Sequence, residues 1–287
     1  MVKFKEKLKE YLADELTGEE SHLLPSGFQT LEDVIIINLK PELLDKKHLI
    51  ANAYLELLPY IKSVWAKTFG ISKVVGKFRT PTGLEHLAGE KKSVVEVVEN
   101  GVIFKHDFTQ VIFSKGNIAE RSYLPSRVQP GETILDMFAG IGYFSLMIGK
   151  LSNPASIHAI EINPVSFKFL VENIELNNLE DVIIPHEGDC AEVVPQLDIN
   201  ADRIIMGVFP APRAYLPIAL DVVNKNKGTI IHYEGKVTEQ EITPLYNDVV
   251  NAVNSSEVVS HVELLEHRFV KNVGIRQQHA VIDVRVS

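Results

Sequence analysis

The feature that most constrains this chain is an apolar run that ends in an acid and a glycine-rich turn, Thr133-Ile-Leu-Asp-Met-Phe-Ala-Gly-Ile-Gly-Tyr-Phe144. A second apolar run, Ala159-Ile-Glu-Ile-Asn-Pro164, follows it and carries Glu161 near its end. A doubly wound sheet presents a nucleoside site in this way, with glycine backbone close to the ligand and the acid on the ribose hydroxyls. The sequence therefore predicts an α/β fold with a nucleoside site.

The glycine spacing indicates which nucleoside the site takes. Gly140-Ile-Gly142 lacks the third glycine of the dinucleotide fingerprint, which favours S-adenosylmethionine over a ligand that contains a pyrophosphate. The alternative is a strand-to-helix turn that binds nothing. That alternative leaves the acid at the end of the second strand unexplained.

The composition limits the class of protein. With 287 residues, of which 45% are hydrophobic, the chain is long enough for one large domain and a smaller one. Its apolar runs are shorter than the roughly 20 residues that span a bilayer, and its N-terminal residues lack a signal-peptide pattern, so we expect a cytoplasmic protein without a membrane anchor. The single cysteine, Cys190, and the scattered histidines predict no metal site.

The charge distribution bears on nucleic acid binding. A net charge of -9 argues against a protein that coats nucleic acid, because neutralising phosphates requires a local excess of lysine and arginine. Residues 73–92 have such an excess, with five basic residues against two acids. This segment is either an RNA-docking surface or only a solvated face.

The first 110 residues predict a small α+β region. Apolar spacing predicts helices at 4–16 and 41–58, and strands at 34–39, 64–69 and 71–77. Two apolar runs within 93–104 are joined by Asn100-Gly101, which predicts a β-hairpin. We therefore expect two domains, 1–110 and 111–287.

The second region alternates between strands and helices. We predict strands at 134–138, 157–160, 182–185, 203–207, 229–233, 260–265 and 280–286, with helices at 143–151, 164–177, 215–223 and 238–255. Seven strands in this rhythm predict the mixed sheet of a Rossmann-like class I methyltransferase domain. The last two strands are predicted to form an antiparallel hairpin at the edge of the sheet. Residues 266–279 between them are predicted to be a long loop, a candidate lid or substrate loop.

Several motifs together resemble the tRNA guanine-37 modification superfamily of archaea and eukaryotes over nearly the whole chain. They are Phe113-Ser-Lys-Gly-Asn-Ile-Ala-Glu-Arg121, the turn at 136–143, Glu161-Ile-Asn-Pro164, Gly188-Asp189 and Ala201-Asp-Arg-Ile-Ile-Met-Gly207. The resemblance implies S-adenosylmethionine as group donor and tRNA as partner. One branch of this superfamily methylates N1 of guanine 37. The other transfers the 3-amino-3-carboxypropyl group of the donor to C7 of 4-demethylwyosine in tRNA-Phe.

The end of the fourth predicted strand separates the two branches. The methyltransferases resemble Asn-Leu-Pro there, whereas this chain has Met206-Gly-Val-Phe-Pro210. Gly207 has no side chain that presents an amide to the target base. Ser114-Lys-Gly-Asn117 and Ile231-His-Tyr-Glu234 also resemble the aminocarboxypropyl branch, although Glu234 stands where archaeal relatives more often have a second histidine. We therefore expect the aminocarboxypropyl transfer, with N1-methylation as the alternative.

The chemistry and the resemblance assign candidate cofactor residues. Which of three electrophilic carbons on the sulfonium reacts depends on orientation, so the protein must hold the amino-acid tail. Arg121 is the candidate for binding the tail carboxylate and Ser114 for adding a hydroxyl donor, the alternatives being a structural ion pair and a turn residue. The resemblance places Glu161 on the ribose. It places Asp189 and the Cys190 backbone at the adenine, and Phe138 and Ala139 on the apolar wall.

The sequence assigns no general base firmly. His232 and Tyr233 are candidates because C7 loses a proton after it attacks, but a histidine at a strand end is more often structural. We expect a monomer that binds the anticodon arm of tRNA-Phe through its N-terminal region. A different class, a non-catalytic RNA-binding protein that kept a nucleoside pocket, remains an alternative.

Overall fold

The computed structural model describes residues 4–67, 74–75, 78, 80–113 and 117–287. The chain divides into two compact units. The first unit is Met1–Val97 with Lys105–Phe113, and the second is Val98–Phe104 with Ser114–Ser287. The predicted domain boundary at residue 110 stays a prediction.

The first unit is built around a four-stranded sheet in the order β1-β2-β3-β6. Its helices are α1 (Phe4–Tyr11), α2 (Gly18–Leu23) and α3 (Lys47–Leu57), and its strands are β1 (Phe28–Leu31), β2 (Val34–Asn38), β3 (Ser63–Lys67), β4 (Val74–Val75), β5 (Thr80–Pro81) and β6 (Leu84–Gly89). Strands β2 and β3 are parallel. The apolar run of β2 is continuous because both faces of the strand are covered, with Ile35 and Ile37 in one core cluster and Val34 and Ile36 in another.

Two helix predictions in this unit need correction. The predicted helix at 4–16 ends at Tyr11, and the predicted helix at 41–58 is a 3-10 helix, Pro41–Lys46, followed by α3. Proline at the first position of the 3-10 turn fits there because its missing N–H has no intrahelical partner in any case. Most of the predicted strand at 71–77 lies outside the described residues.

The predicted hairpin is confirmed. Strands β7 (Val94–Glu99) and β8 (Val102–Asp107) form a two-stranded sheet of their own. Asn100 and Gly101 both have positive φ, 51° and 80°, which is the backbone that a two-residue type I′ turn requires.

The second unit holds the seven-stranded sheet. Its strands are β9 (Thr133–Asp136), β10 (Ser156–Glu161), β11 (Ile183–Glu187), β12 (Arg203–Met206), β13 (Thr229–Thr238), β14 (Val262–Gly274) and β15 (Gln277–Val286). Its helices are α4 (Ile118–Tyr123), α5 (Ser145–Leu151), α6 (Pro164–Asn177), α7 (Cys190–Val193), α8 (Leu216–Asp221) and α9 (Thr243–Asn254), with 3-10 turns at Leu124–Arg127, Val194–Gln196 and Arg213–Tyr215. None of the helices in the described part of the chain has the length and apolarity needed to cross a bilayer.

The strand order of this sheet, β11-β10-β9-β12-β13-β15-β14, confirms the predicted seven-stranded mixed sheet. Strands β9 to β13 run parallel, and β15 is antiparallel to both β13 and β14. The chain leaves β9 towards β10 on one side and returns to β12 on the other. The carboxyl end of β9 is therefore the switch point, where open α/β sheets bind their ligands.

The prediction of a long loop at 266–279 was wrong. Strand β14 continues to Gly274, and β15 begins at Gln277. The extension is stable because β13 also extends to Thr238 and pairs with β15 along its whole length, so that Thr238 lies opposite Gln277. Every residue of β15 thus has a strand on both sides.

Candidate functional site

The glycine-rich turn and Glu161 are in direct contact at the switch point. The backbone N–H of Gly140 donates to Oε2 of Glu161 at 2.8 Å, and the N–H of Asn163 donates to Oε1 at 2.6 Å. The Asn163 side chain in turn caps α6 by accepting from Val165. Glu161 is therefore fixed at the end of β10, directly beside the turn that follows β9.

The two glycines of the turn are required by space as well as by backbone angles. Gly140 and Gly142 have φ of 61° and 96°. A β-carbon at Gly140 would lie 2.6 Å from the Tyr143 ring, and one at Gly142 would lie 2.7 Å from Cγ of Leu146. The turn thus exposes bare backbone next to a carboxylate, which fits a nucleoside whose ribose hydroxyls need an acceptor.

The acid that ends β9 is buried and does not face solvent. Oδ2 of Asp136 accepts from the Ser145 hydroxyl at 2.7 Å. Burial raises the pKa of Asp136 to about 6, and the charge of Glu161 acts in the same direction. The Ser145 hydrogen bond and the charge of His232 oppose this rise. Asp136 therefore ties the turn to the start of α5.

The residues predicted to border the adenine and its apolar wall lie at neighbouring strand ends. Asp189 caps the short helix α7 through the N–H of Ala191, and Cys190 is buried behind it. Burial raises the pKa of the Cys190 thiol to about 12, so this cysteine is a packing residue and not a nucleophile. Phe138 packs edge-to-face against Tyr215 at 5.3 Å, and buried Ala139 donates its N–H to the end of β10.

Arg121 is 2% exposed and forms an ion pair within its own unit. Its Nη2 donates to Oε2 of Glu99 at 2.6 Å, and its Nε to the same oxygen at 3.2 Å. The guanidinium also lies 5.7 Å from the ring centre of Tyr143, the residue that ends the glycine-rich turn. Arg121 is thus beside the nucleoside turn and has a structural partner. Ser114, its predicted companion, lies outside the described residues.

Two side chains, those of Phe144 and Glu234, lie close to the α-carbon of Gly207, directly after β12. A β-carbon there would lie 2.7 Å from Cε2 of Phe144 and 3.6 Å from Cδ of Glu234. The Phe144 ring packs against the ring of His232, with centroids 5.5 Å apart. An aromatic ring therefore occupies the space that a side chain at this strand end would need.

A buried network of charged side chains lies on the face of β13 that carries His232. Nδ1 of His232 is 2.9 Å from Oδ1 of Asp283, and its Nε2 is 3.4 Å from Oε1 of Glu234. Burial lowers the pKa of His232, but the two carboxylates outweigh burial and raise it to about 9. His232 is therefore protonated at neutral pH, which disfavours the predicted role as a general base.

Glu234 has a second histidine partner from the other side of the hairpin. Its Oε2 lies 3.0 Å from Nε2 of His279 on β15. Burial raises the pKa of Glu234, but the bonds from His232 and His279 outweigh it and lower the pKa to about 2. Tyr233 points to the opposite face of β13 and donates to Asp248 of α9 at 3.2 Å. The structure thus separates the two candidate bases.

The network extends to the helix that carries Arg121. Arg268 of β14 contacts Oδ2 of Asp283 at 2.8 Å and Oε1 of Glu120 at 2.6 Å. Glu120 and Arg121 are adjacent on α4, so two buried ion pairs hold this short helix. The sequence did not indicate Asp283, Arg268 or Glu99, because their partners are distant in sequence and polar residues at strand positions have no recognisable spacing.

The network predicts how stability depends on pH. The pKa of His232 is higher in the folded chain than its ordinary value of 6.5, so its contribution is complete below pH 6.5 and is lost as the pH rises through about 9. We expect the free energy of unfolding to fall by about 3 kcal/mol across this window. Glu234 and Asp283 have lowered pKa values, so their contribution is lost as the pH falls towards 2.

The measurement is the melting temperature between pH 6.5 and 9.5 for the parent and a His232→Gln variant. The variant is expected to be less stable at pH 6.5 and to lack the decline towards pH 9. A His261→Gln variant is the matched control, because His261 is exposed and should leave the decline unchanged. A parent chain with a flat profile would contradict the prediction.

Two further predictions concern metal and RNA. No group of three or more histidine, cysteine or acidic side chains in the described ranges is placed to hold a metal ion.

In the basic segment 73–92, Lys73, Lys77 and Arg79 lie outside the described residues. The Lys92 ammonium is 2.7 Å from both Glu32 and Asp33, so this lysine serves as a structural ion-pair partner.

Comparison with known proteins adds family evidence to this geometry. Residues 95–265 match the model of the TRM5/TYW2 methyltransferase domain, and residues 8–92 match that of the TYW2 N-terminal domain. A Pyrococcus horikoshii protein named tRNA(Phe) (4-demethylwyosine(37)-C(7)) aminocarboxypropyltransferase is 36% identical over 98% of this chain and 97% of its own. The tRNA (guanine(37)-N(1))-methyltransferase Trm5b of Pyrococcus abyssi is 34% identical over 94% of this chain and 77% of its own.

A solved structure shares the fold. The P. horikoshii TYW2 structure in complex with MeSAdo matches with a TM-score of 0.82 at 33% identity, covering 98% of both chains. The predicted class I methyltransferase fold with its N-terminal region is thereby confirmed.

Proposed function

The chain belongs to the TRM5/TYW2 methyltransferase-domain family, and from this we propose that it is a tRNA aminocarboxypropyltransferase. It transfers the 3-amino-3-carboxypropyl group of S-adenosylmethionine to C7 of 4-demethylwyosine at position 37 of tRNA-Phe. The C7–carbon bond forms, the carbon–sulfur bond breaks with its electrons going to sulfur, and C7 loses its proton. Methylthioadenosine is the second product.

The observation that carries this proposal is the absence of a side chain at Gly207, directly after β12. Gly207 offers no amide, and the space in front of it is filled by Phe144 and closed by the buried carboxylate of Glu234. A site without the amide favours the branch that does not methylate guanine. The match of residues 8–92 to the TYW2 N-terminal domain supports the same choice.

We propose cofactor contacts that the described positions of Glu161 and Arg121 support. Glu161 takes the ribose hydroxyls, because its carboxylate is fixed beside the bare backbone of the turn. Asp189 and the Cys190 backbone border the adenine, and Phe138 and Ala139 form the apolar wall. Arg121, next to Tyr143, binds the tail carboxylate, and Ser114 assists it.

We further propose that the chain docks the anticodon arm as a monomer, through its N-terminal region of residues 1–110, with 111–287 as the catalytic domain. A tRNA substrate is consistent with the cytoplasmic location that the sequence predicts. His232 is not assigned the C7 proton, because it is already protonated. Water or the tail carboxylate accepts that proton.

Methylation of N1 of guanine 37 is the second candidate. The 34% identity to the P. abyssi methyltransferase favours it, since both activities occur among relatives of similar distance. The fold, the glycine-rich turn and Glu161 serve either activity.

The deciding experiment uses S-adenosylmethionine labelled separately in the methyl group and in the carboxypropyl group. With tRNA-Phe that bears 4-demethylwyosine, we expect the carboxypropyl label in the RNA and none of the methyl label, because the tail and not the methyl group is transferred. The readout is radioactivity in the precipitated tRNA together with the formation of methylthioadenosine.

Unmodified tRNA-Phe is the matched control and should acquire neither label. Methyl label in the unmodified tRNA would instead establish N1-methylation. Absence of both labels from both RNAs would favour the non-catalytic RNA-binding alternative.

A further inference from the structure

A groove of about 480 Å³ opens in the first unit. It lies at the carboxyl ends of the parallel strands β2 and β3, where Asn38 and Lys67 are paired in register. Residues 22–27, from the end of α2 to the loop before β1, form a second wall, and Lys5 of α1 and Lys40 complete it. Its volume is in the range of small-ligand sites.

The groove is strongly basic within an acidic chain. The twelve described residues that line it include Lys5, Lys40, Lys67 and His22 and not one aspartate or glutamate. The chain as a whole has a net charge of -9. A protein of that charge repels a polyanion at long range, so it must bind one through local cationic sites.

The lysines of the groove differ in their partners from five other lysines of this unit. Lys9, Lys46, Lys47, Lys62 and Lys92 each lie within salt-bridge distance of a carboxylate. Among the residues that the structure describes, none of the three groove lysines has such a partner; the Lys5 ammonium donates to the carbonyl of His22 at 2.8 Å. Three cationic groups that line one groove without a carboxylate partner fit a multiply charged anion.

We infer that this groove binds the phosphodiester backbone of the RNA substrate. The inference rests on the proposed function, which supplies the RNA, and it adds a contact site that the basic segment 73–92 does not include. Lysine ammonium groups contact phosphate oxygens as point charges and read no sequence. The groove therefore contributes affinity and position, while the second unit contributes the chemistry.

The test compares two double variants of the full chain that change net charge equally. Lys40→Gln/Lys67→Gln removes two groove charges, whereas Lys47→Gln/Lys62→Gln removes two charges from lysines that already have carboxylate partners. Binding of tRNA-Phe is measured by fluorescence anisotropy over a range of NaCl concentrations. The groove variant is expected to bind about tenfold more weakly near 0.1 M salt, with a log–log salt slope shallower by about 1.5.

The control variant should keep both the parent affinity and the parent slope. A Lys5→Gln variant, tested for the same loss, covers the case in which the double variant fails to fold. If the groove variant and the control behave alike, the groove inference is wrong. A parent chain that binds no tRNA would instead reject the proposed function, so the two failures are distinguishable.

A competition experiment with inorganic phosphate tests whether the groove binds the RNA backbone or a small free anion. Phosphate at the concentration of the RNA should not compete for the groove, because one phosphate lacks the multivalency of a chain. Competition at that concentration would show a free-anion site and overturn the assignment to RNA.

Discussion

Arg121→Met is expected to weaken binding of S-adenosylmethionine by about 10- to 100-fold, the range for loss of a charge-assisted bidentate bond. Methylthioadenosine, which has no carboxylate, should bind almost as well as it does to the parent. The physical reason lies in the proposed contact, in which the planar guanidinium next to Tyr143 would hold the tail carboxylate in two hydrogen bonds. Isothermal titration of both ligands gives the two affinities.

The ion pair with Glu99 makes a control necessary. Removing Arg121 leaves a carboxylate that is buried without its partner, which costs about 3–5 kcal/mol of stability. The double variant Arg121→Met/Glu99→Gln removes that unpaired charge. We expect it to recover most of the melting temperature and none of the cofactor affinity.

The pattern of losses decides between the two roles of Arg121. If affinity returns together with stability in the double variant, Arg121 is a structural residue and the tail carboxylate is held elsewhere. The same conclusion follows if the single variant loses equal affinity for both ligands. A selective loss that persists in the double variant supports the proposed contact.

The parts of the site that the sequence predicted are those that depend on neighbouring residues. The turn at 136–143 could be predicted because its conformation requires glycine at two positions, and the Asn100-Gly101 hairpin because both residues tolerate positive φ. Glu161 could be predicted because parallel strands end at one edge of the sheet. Local stereochemistry determines the turn and the hairpin, whereas the general geometry of parallel sheets determines the position of Glu161.

The pairing of the last two strands at the sheet edge was predicted and is confirmed, but the length of this edge hairpin could not be predicted, for the opposite reason. Most residues of β14 are exposed or half-buried on both faces, so the strand lacks the alternation of apolar and polar residues that indicates a half-buried strand. Three register irregularities against β15 further disrupt any period. Its position is determined by pairing with β15, which is information that lies outside the segment.

The partners of Glu234 show the same limit at the site itself. The sequence marked Glu234 as a departure from relatives that have a second histidine. The structure supplies histidines on both sides of Glu234, from His232 on its own strand and from His279 on β15. Only the pairing of β13 with β15 brings His279 within reach, so no spacing rule could have predicted the contact.

Gly207→Ala is expected to destabilise the fold by about 1–3 kcal/mol, the usual cost of overpacking a core. The added β-carbon would lie 2.7 Å from the Phe144 ring, which is itself buried and packed against His232. Phe144 directly follows the glycine-rich turn, so its displacement moves the nucleoside turn. Since a misplacement of about 1 Å can cost about 100-fold in rate, we expect a loss of that order in kcat/KM for aminocarboxypropyl transfer.

Two further variants test the steric origin of this effect. Phe144→Leu replaces the aromatic ring with a smaller side chain. Combined with Gly207→Ala, it should recover part of the stability that Gly207→Ala loses. Gly18→Ala is the matched control, because a β-carbon there meets nothing within 4 Å. Differential scanning fluorimetry measures stability, and the carboxypropyl label in tRNA measures transfer. A Gly207→Ala variant as stable and active as Gly18→Ala would contradict the steric argument.

The same geometry predicts that Gly207→Asn does not create a methyltransferase. An asparagine shares the β-carbon that overlaps Phe144, and its amide must then fit between that ring and the buried carboxylate of Glu234. We therefore expect the choice of transferred group to depend on Gly207, Phe144 and Glu234 together. We expect Gly207→Asn to lose carboxypropyl transfer without placing methyl label in unmodified tRNA. Methyl transfer by this single variant would show that the amide at β12 alone determines which group of the cofactor reacts.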